Sequence, residues 1–236
     1  MKPGTPSYSV KLAQLDVLNP SVKMYHLEFS KPFVFESGQF VMIHLDGPDG
    51  KEIKRAYSIA SAPKLKNKIE LCIRRVPGGT ATTMLDHLKA GDTLKISGPL
   101  GKFTLDEKVK NDLVLIAGGT GIAPIRSMLH TLPVKDLKHN ITLYFGINTL
   151  GDYLFQEELK KFEGLKNFKL VLVVADDPQW KGEKGYITEA VMKKQTPDLA
   201  NTDIYMCGPP LMIRSIKAFL PNLGAKPEKI HIDAWE

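Results

Sequence analysis

One short stretch in the first half of the chain combines side chains that could hold a phosphate and an aromatic ring. It reads Arg55-Ala56-Tyr57-Ser58 and has a strand-like composition. Side chains alternate along a strand, so Arg55 and Tyr57 are expected on one face and Ser58 on the other. A guanidinium fork grips phosphate oxygens, and a flat ring packs on an aromatic ligand. Taken alone, these residues could also be a surface charge and a barrel side chain.

A second stretch, PGGTATT over residues 77–83, precedes a predicted helix. Glycines allow backbone amides to converge, and the amino terminus of a helix favours negative charge. The alternative is a plain loop between a hairpin and a helix, with Thr82 as the helix cap. Both stretches point to a phosphate-bearing ligand. The candidate contacts in this loop are Gly79, Thr80, Ala81 and Thr82.

A glycine turn in the second half follows a solid apolar run and reads GGTGIAP over residues 118–124. Pro124 suits the first turn of a helix, where its missing N–H costs little. A strand, glycine turn and helix in this order can bring backbone amides against a pyrophosphate. The stretch does not match the GxGxxG fingerprint, and a purely structural glycine turn is the alternative. The candidate contacts are Gly119, Thr120 and Gly121.

A later apolar run, residues 204–206, ends at Cys207-Gly208-Pro209. The carboxyl ends of parallel strands face the ligand crevice of such folds, which places Cys207 at the edge of that crevice. The alternative for Cys207 is a buried small hydrophobe, the usual environment of a free cysteine. That second interpretation is the preferred one for Cys72, which lies inside a predicted strand.

The elements that must position these residues change character near the middle of the chain. Short β-rich segments separated by turn residues predict six strands in the first half, which indicates a closed antiparallel β-barrel. Continuous apolar runs joined by helical segments follow, and they are typical of a doubly wound parallel sheet covered on both faces. The predicted domains are 1–107 and 108–236. The predicted strands are 8–15, 22–29, 39–45, 54–59, 69–74 and 93–97, then 113–117, 141–145, 170–174 and 204–206; helices are expected over 82–87 and from about Pro124.

Composition narrows the class of protein. A length of 236 residues suits two domains, and two cysteines are too few for a disulfide framework or a usual iron–sulfur cluster. Six scattered histidines predict no metal site. The amino terminus does not resemble a secretory signal, and no apolar run is long enough to span a membrane. These observations predict a cytoplasmic protein without a membrane span. The net charge of +6 favours acidic partners, and no nucleic-acid-binding motif accompanies it.

The ordered set of motifs resembles the ferredoxin–NAD(P) reductase superfamily, most closely the NADH-dependent FAD reductase modules that supply electrons to bacterial oxygenases. The motifs are RAYS, PGGTAT, SGPLG, GGTGIAP and YMCGPP, and the match runs over nearly the whole chain. The resemblance implies an FAD-binding barrel followed by a nicotinamide-dinucleotide-binding α/β domain. It also implies a flavoprotein reductase that accepts hydride from NADH and passes electrons singly to a separate acceptor, such as a ferredoxin or an oxygenase component.

Individual roles on the FAD side follow from the resemblance. Arg55 is expected to contact the FAD pyrophosphate, with Tyr57 stacked along the flavin and Ser58 near the ring nitrogen that accepts hydride. The loop from Gly79 to Thr82 is expected to hold the pyrophosphate, with threonine where serine is common. Trp235 falls where the family often has an aromatic ring near the flavin, although Glu236 follows it here.

Roles on the nicotinamide side follow in the same way. The resemblance places the cofactor pyrophosphate at the turn from Gly119 to Gly121. It places Cys207 and Gly208 beside the nicotinamide ring, with Pro209 in the same segment. Ser58 and Cys207 are thus the two predicted catalytic positions.

The stretches expected to meet the adenosine ribose indicate which dinucleotide is used. Residues 146–149 and 175–177 contain no lysine or arginine, and Asp176 and Asp177 would repel a 2′-phosphate. The sequence therefore predicts a preference for NADH, with NADPH as the alternative cofactor. Both aspartates could instead only form a turn before Pro178.

Two other functions stay open. A flavin reductase that uses free flavin as a substrate shares this fold, but such enzymes tend to lack the pyrophosphate loop and the CGPP segment. The other function is that of a non-catalytic dinucleotide-binding or sensor module. For the favoured function, ferredoxin-like acceptors are usually acidic, which suits the net charge of +6. The chain could also be a module of a larger complex.

Overall fold

The structure is a computed structural model, which describes residues 4–106 and 108–234. Contacts divide the chain into two compact units. The first comprises Met1–Leu105 with Arg126–Thr131, and the second comprises Asp106–Ile125 with Leu132–Glu236. The domain limits expected from the sequence, 1–107 and 108–236, stay a prediction.

The first unit is built on six antiparallel strands in the order β4-β3-β6-β1-β2-β5. The two outer strands meet through an antiparallel bridge between Ile59 and Leu71, and the N–H of Ala60 donates to the carbonyl of Glu70 at 2.8 Å. These contacts close the sheet and confirm the predicted barrel. The elements are β1 Ser7–Asn19, β2 Val22–Glu28, β3 Phe40–Asp46, β4 Glu52–Ser58, β5 Lys68–Arg74, helix α1 Thr80–Asp86 and β6 Thr93–Leu100.

Strand β1 is long enough to serve two neighbours. It pairs with β6 over Ser7–Lys11 and with β2 from Lys11 to Asn19, and its pairing with β2 shifts between Leu12 and Gln14. An irregularity of this kind bends a strand and increases its twist, which helps a sheet to curve into a barrel. Along the first part of β1, buried Val10 and Leu12 alternate with exposed residues, as expected for a strand with one face on a core.

The second unit is a six-stranded parallel sheet in the order β10-β9-β8-β7-β11-β12. Every residue from Leu113 to Gly118 is buried, so this central strand is covered on both faces. The predicted doubly wound sheet is confirmed. The elements are β7 Asp112–Gly118, α2 Ile122–Thr131, β8 Ile141–Ile147, α3 Gln156–Glu163, β9 Phe168–Val174, β10 Glu183–Lys184, α4 Glu189–Gln195, β11 Thr202–Gly208, α5 Pro210–Phe219 and β12 Ile230–Ala234. Residues 126–131 of helix α2 belong to the first unit and the rest of that helix to the second.

Several elements differ from the sequence expectation. Strands β10 and β12 were not expected, because β10 contains only a glutamate and a lysine and β12 has alternating polar residues. Both strands lie at the edges of the sheet. An edge strand of this kind is defined more by its hydrogen bonds to the neighbouring strand than by its composition. Helix α2 begins at Ile122, two residues before Pro124, and continues from a 3₁₀ turn over Gly119–Gly121. Among the described residues, no helix is long and apolar enough to cross a membrane.

Candidate functional site

The Arg55-Ala56-Tyr57-Ser58 stretch lies on strand β4, as predicted. Arg55 and Ala56 are exposed, whereas Tyr57 and Ser58 are half-buried. The guanidinium of Arg55 donates to the carbonyl of Lys54 at 2.8 Å. Tyr57 packs against the barrel core, and burial raises the pKa of its phenol, although the charge of Arg55 acts in the opposite direction. The strand thus presents a cation and the side of an aromatic ring.

The loop before α1 is held together by the hydroxyl of Thr82. This hydroxyl accepts the N–H of Val76 at 3.1 Å and lies within donor distance of the carbonyls of Val76 and Gly79. The helix begins at Thr80 with Gly79 as its N-cap, so the interpretation of Thr82 as the helix cap is wrong. Because this hydroxyl is already engaged in the loop, Thr82 would meet a ligand through its backbone N–H.

Glycine is required at the start of this loop-to-helix turn. A Cβ atom on Gly79 would lie 2.9 Å from Oγ1 of Thr82 and 3.1 Å from the carbonyl oxygen of Val76. The first intrahelical bond joins the N–H of Thr83 to the carbonyl of Gly79. The preceding N–H groups of the first turn have no intrahelical acceptor, as at every helix start, so they are suited to bind an anionic oxygen.

The turns after β7 and β11 pack backbone against backbone in the second unit. A Cβ atom on Gly121 would overlap the carbonyl group of Cys207, and one on Gly208 would lie 3.0 Å from the N atom of Gly118. Gly119 has a φ of +53°, in the left-handed region that favours glycine. The two predicted dinucleotide-binding segments therefore meet at the carboxyl edge of the sheet, on neighbouring strands.

Cys207 lies at the predicted end of β11, but its side chain is fully buried. Its sulfur is 3.7 Å from Oδ2 of Asp233 on the adjacent strand β12. This environment resembles the alternative of a small buried side chain, and the catalytic role of Cys207 stays a prediction. Cys72 is also buried, as the sequence indicated, and burial raises the pKa of its thiol to about 12.

The two aspartates that follow β9 have different environments. The carboxylate of Asp177 accepts the N–H of Leu150 at 3.2 Å and that of Gln179 at 3.0 Å, so it builds the turn. Asp176 is exposed, and its backbone N–H donates to the carbonyl of Asn148 at 2.8 Å, whereas its carboxylate forms no hydrogen bond with another of the described residues. The interpretation of both residues as turn formers therefore fits Asp177 but not the side chain of Asp176.

Sequence reasoning overlooked an exposed tyrosine at the same edge of the sheet. Tyr186 is 77% exposed and follows β10, whose two residues pair with Val173 and Val174 at the carboxyl end of β9. The indole of Trp180 donates to the carbonyl of Glu183 at 2.8 Å and orders the loop before Tyr186. The run WKGEKGY, with two aromatic residues between a strand and a helix, was the available signal.

A serine, a histidine and a glutamate in the barrel form a hydrogen-bonded chain like that of a hydrolase. Nε2 of His44 lies 2.6 Å from Oγ of Ser97, and Nδ1 lies 2.7 Å from Glu52. However, Ser97 is only 3% exposed, so no substrate could reach its hydroxyl. Hydrogen bonds from Lys54 and then from His44 lower the pKa of Glu52 to about 2. This chain is a structural network rather than an active site.

A cavity in the second unit lies away from the candidate residues. It has a volume of about 380 Å³ and opens at the amino ends of β7, β8 and β9, near Asp112, Thr142 and Lys169. The glycine turns lie at the opposite edge of the sheet, at the carboxyl ends of β7 and β11. Among the described residues, no group of three or more potential ligands could hold a metal ion. The predicted flavin contact Trp235 lies outside the described residues.

An antiparallel barrel followed by a parallel sheet with paired glycine turns defines a two-domain, dinucleotide-binding class of oxidoreductase. Two protein-family models match the chain. The model of the oxidoreductase FAD-binding domain matches residues 9–105, and that of the oxidoreductase NAD-binding domain matches residues 115–218. The reductase component of the naphthalene 1,2-dioxygenase system of Pseudomonas putida, a ferredoxin–NAD(P)(+) reductase, is 30% identical over 98% of this chain and 70% of its own length. This protein belongs to the ferredoxin–NAD(P) reductase superfamily.

Two further comparisons agree. The reductase component DmpP of phenol 2-monooxygenase from Pseudomonas sp. strain CF600 is 33% identical over 83% of this chain, which spans only 56% of that relative. The crystal structure of the Amycolatopsis cytochrome P450 reductase GcoB has a TM-score of 0.86 and 29% identity, covering 98% of this chain and 71% of GcoB. The chain thus spans little more than half of the phenol monooxygenase component. We therefore propose, rather than assign, the complete reaction of this protein and its partners.

Proposed function

We propose that this protein is a flavoprotein reductase that accepts hydride from NADH on FAD and passes electrons singly to a separate acceptor. The observation that supports this proposal is that each of the two units has its own set of groups suited to bind a phosphate. One set comprises Arg55 on strand β4 and the loop before α1, and the other is the pair of glycine turns after β7 and β11. A flavin can accept two electrons as hydride and release them one at a time.

The barrel residues fit FAD. The exposed guanidinium of Arg55 and the first-turn N–H groups of α1 would bind the two halves of the pyrophosphate. The half-buried ring of Tyr57 would support the flavin, and its packing against the core limits its movement. Ser58, the last residue of β4, would lie by the flavin nitrogen that receives hydride. No acid–base residue is required for that step.

The residues of the second unit fit a nicotinamide dinucleotide. The turn Gly119–Gly121 would offer backbone N–H groups to the pyrophosphate, and only glycines allow the close approach of the turn to Cys207 and Gly208. Cys207, Gly208 and Pro209 would line the nicotinamide ring. Cys207 would act there through its backbone, because its sulfur lies against Asp233.

One exposed residue supports NADH over NADPH, and a second supports the binding of either dinucleotide. The carboxylate of Asp176 is free to accept hydrogen bonds from ribose hydroxyls and would repel a 2′-phosphate. The exposed ring of Tyr186 is suited to stack on the adenine, because a flat aromatic side chain on this edge offers a large apolar face. Both residues follow strands at the carboxyl edge of the sheet, where nucleotides bind in such folds.

The acceptor is proposed to be an acidic electron-transfer protein, such as a ferredoxin or an oxygenase component. The net charge of +6 supports this choice, because it would steer an acidic partner toward the reductase. Relatives of the chain are reductase components of oxygenase systems. Reduction of such an acceptor should slow as the ionic strength rises, and a rate independent of salt would contradict the electrostatic part of the proposal.

Purification and anaerobic reduction test the central proposal. The protein should carry one FAD per chain, and NADH should bleach the flavin absorbance without an added acceptor. A colourless protein that reduces added free flavin would instead establish a flavin reductase. Bound flavin that NADH does not bleach would indicate a non-catalytic dinucleotide-binding module.

A further inference from the structure

The short segment that follows strand β4 is completely buried. Ile59, Ala60 and Ser61 are 0%, 0% and 1% exposed, and they begin directly after Ser58. Two backbone N–H groups of this segment bond to other backbone groups: that of Ile59 donates to the carbonyl of Gln39 at 2.9 Å and that of Ala60 to the carbonyl of Glu70 at 2.8 Å. The buried carbonyls of Ala60 and Ser61 require partners as well.

Two side chains of helix α2 supply these partners. The guanidinium of Arg126 donates to the carbonyl of Ala60 at 3.0 Å, and the hydroxyl of Ser127 donates to the carbonyl of Ser61 at 2.6 Å. Both donors lie within residues 126–131, the part of α2 that belongs to the first unit. Loss of either donor would leave a buried carbonyl without a partner, which the segment can avoid only by moving.

Glu70 on strand β5 holds the guanidinium in place. Its carboxylate forms a short ion pair with Arg126, and the two side chains are 19% and 14% exposed. The backbone N–H of Glu70 also donates to the hydroxyl of Ser61 at 3.1 Å. The other carboxylate oxygen of Glu70 lies 3.4 Å from Nδ1 of His26 on the neighbouring strand. The donors from α2 and the acceptor on β5 thus fix the segment from two sides.

We propose that Arg126 and Ser127 are positioning residues that set the place of Ser58 and thereby the rate of hydride transfer to the flavin. This inference rests on the proposed function. Neither side chain is assigned a contact with a reacting atom; they act through the backbone of Ala60 and Ser61. Small displacements of aligned reacting groups lower rates strongly, so a shift of this segment should slow the chemical step.

Anaerobic stopped-flow measurements on the FAD-loaded protein test the inference. Arg126→Met should lower the limiting rate of flavin reduction at saturating NADH by about tenfold or more, with little change in the NADH concentration for half-saturation. Ser127→Ala should give a smaller fall. Arg126→Lys should lie between Arg126→Met and the unchanged protein, because the ammonium group keeps the charge but not the planar geometry with which one guanidinium nitrogen contacts both acceptors. The absorption maximum of the flavin should shift in the same order.

A matched control removes a different ion pair of strand β5. Lys68 on β5 lies 3.7 Å from Glu28 on β2, and the two side chains are 54% and 39% exposed. Lys68→Met should leave the limiting rate unchanged. If Arg126→Met lowers the melting temperature but keeps the limiting rate within about twofold, the residue is merely structural and the inference is wrong.

Two further outcomes are distinguishable. If Arg126→Met does not retain FAD, Ser127→Ala decides, and a limiting rate equal to that of the unchanged protein overturns the inference. If NADH does not bleach the flavin of the unchanged protein, the proposed function fails before any variant is compared.

Discussion

The candidate phosphate-binding groups differ in kind between the two units. In the barrel, the strongest candidate is a charged side chain, Arg55, on an exposed strand. In the parallel sheet, the candidates are backbone amides of turns so closely packed that a Cβ atom on Gly121 or Gly208 has no room. The barrel site should therefore be sensitive to charge, whereas the sheet site should be sensitive to the volume of a side chain. Substitutions that separate these two properties test the comparison directly.

The largest effect is expected from Gly121→Ala in the second unit. The added methyl group would overlap the carbonyl of Cys207, so the two turns must separate. NADH-dependent flavin reduction should fall by about 100-fold or more, because the misplaced turn no longer aligns the nicotinamide. The flavin spectrum should be unchanged. Steady-state kinetics and absorbance spectra measure both quantities.

Gly164→Ala is the matched control for this substitution. Its Cβ atom would lie 3.5 Å from the carbonyl of Lys161, an ordinary contact, and its φ of −70° suits alanine. It should keep full activity. If Gly121→Ala also keeps full activity, close backbone packing is not what defines the sheet site.

The next effect is expected from Arg55→Met in the barrel. This change removes a charge from an exposed strand and introduces no steric conflict. A hydrogen bond to a charged group contributes roughly 1.5–3 kcal/mol, so the Kd of FAD should rise about 10- to 100-fold. Fluorescence titration of the apoprotein with FAD measures it. Lys51→Met removes another cation from the barrel, 85% exposed, and should leave the Kd unchanged. If the unchanged protein, Arg55→Met and Lys51→Met bind FAD with equal affinity, Arg55 is not part of the site.

A smaller effect is expected at the ribose end of the sheet site, where a side chain rather than the backbone decides selectivity. Asp176→Asn removes the exposed charge and retains the shape of the side chain. The kcat/KM for NADPH should rise about fivefold relative to that for NADH, in line with roughly 1 kcal/mol for an exposed charge pair. Asp177→Asn should weaken the turn but leave this ratio unchanged, because that carboxylate binds backbone N–H groups. Identical ratios in both variants would refute the role of Asp176.

The smallest effect is expected in the barrel, at the hydrogen-bonded network of Ser97, His44 and Glu52. Hydrogen bonds from Lys54 and then from His44 hold the pKa of Glu52 at about 2, below its ordinary value of 4.5. A lowered carboxyl pKa stabilises the fold above about pH 4.5, and this contribution is lost as the pH falls toward 2. Glu52→Gln should therefore reduce the loss of stability between pH 5 and pH 3. Urea unfolding at pH 5 and pH 3 measures this loss of stability. If Glu52→Gln leaves the pH dependence unchanged, the interactions of Glu52 with Lys54 and His44 contribute nothing to stability.

Much of the fold could be predicted from local patterns. The six barrel strands and the four apolar runs of the sheet lie within a few residues of their expected limits, because alternation and continuous apolar stretches report burial directly. Edge strands β10 and β12 were missed, since their hydrogen bonds to β9 and β11 define them and their composition does not. The cap of α1 was also misassigned, because a threonine hydroxyl can bond to the loop as readily as to the helix.

The sequence by itself determined the class of protein, since five motifs in order and two kinds of hydrophobic pattern are local properties of the chain. Only the tertiary structure separated the exposed Asp176 from the engaged Asp177 and turned the sulfur of Cys207 toward Asp233. It alone brought Arg126 to the carbonyl of Ala60, 66 positions earlier in the chain. The physical reason is that hydrogen bonds and burial depend on partners distant in sequence, which no local pattern encodes.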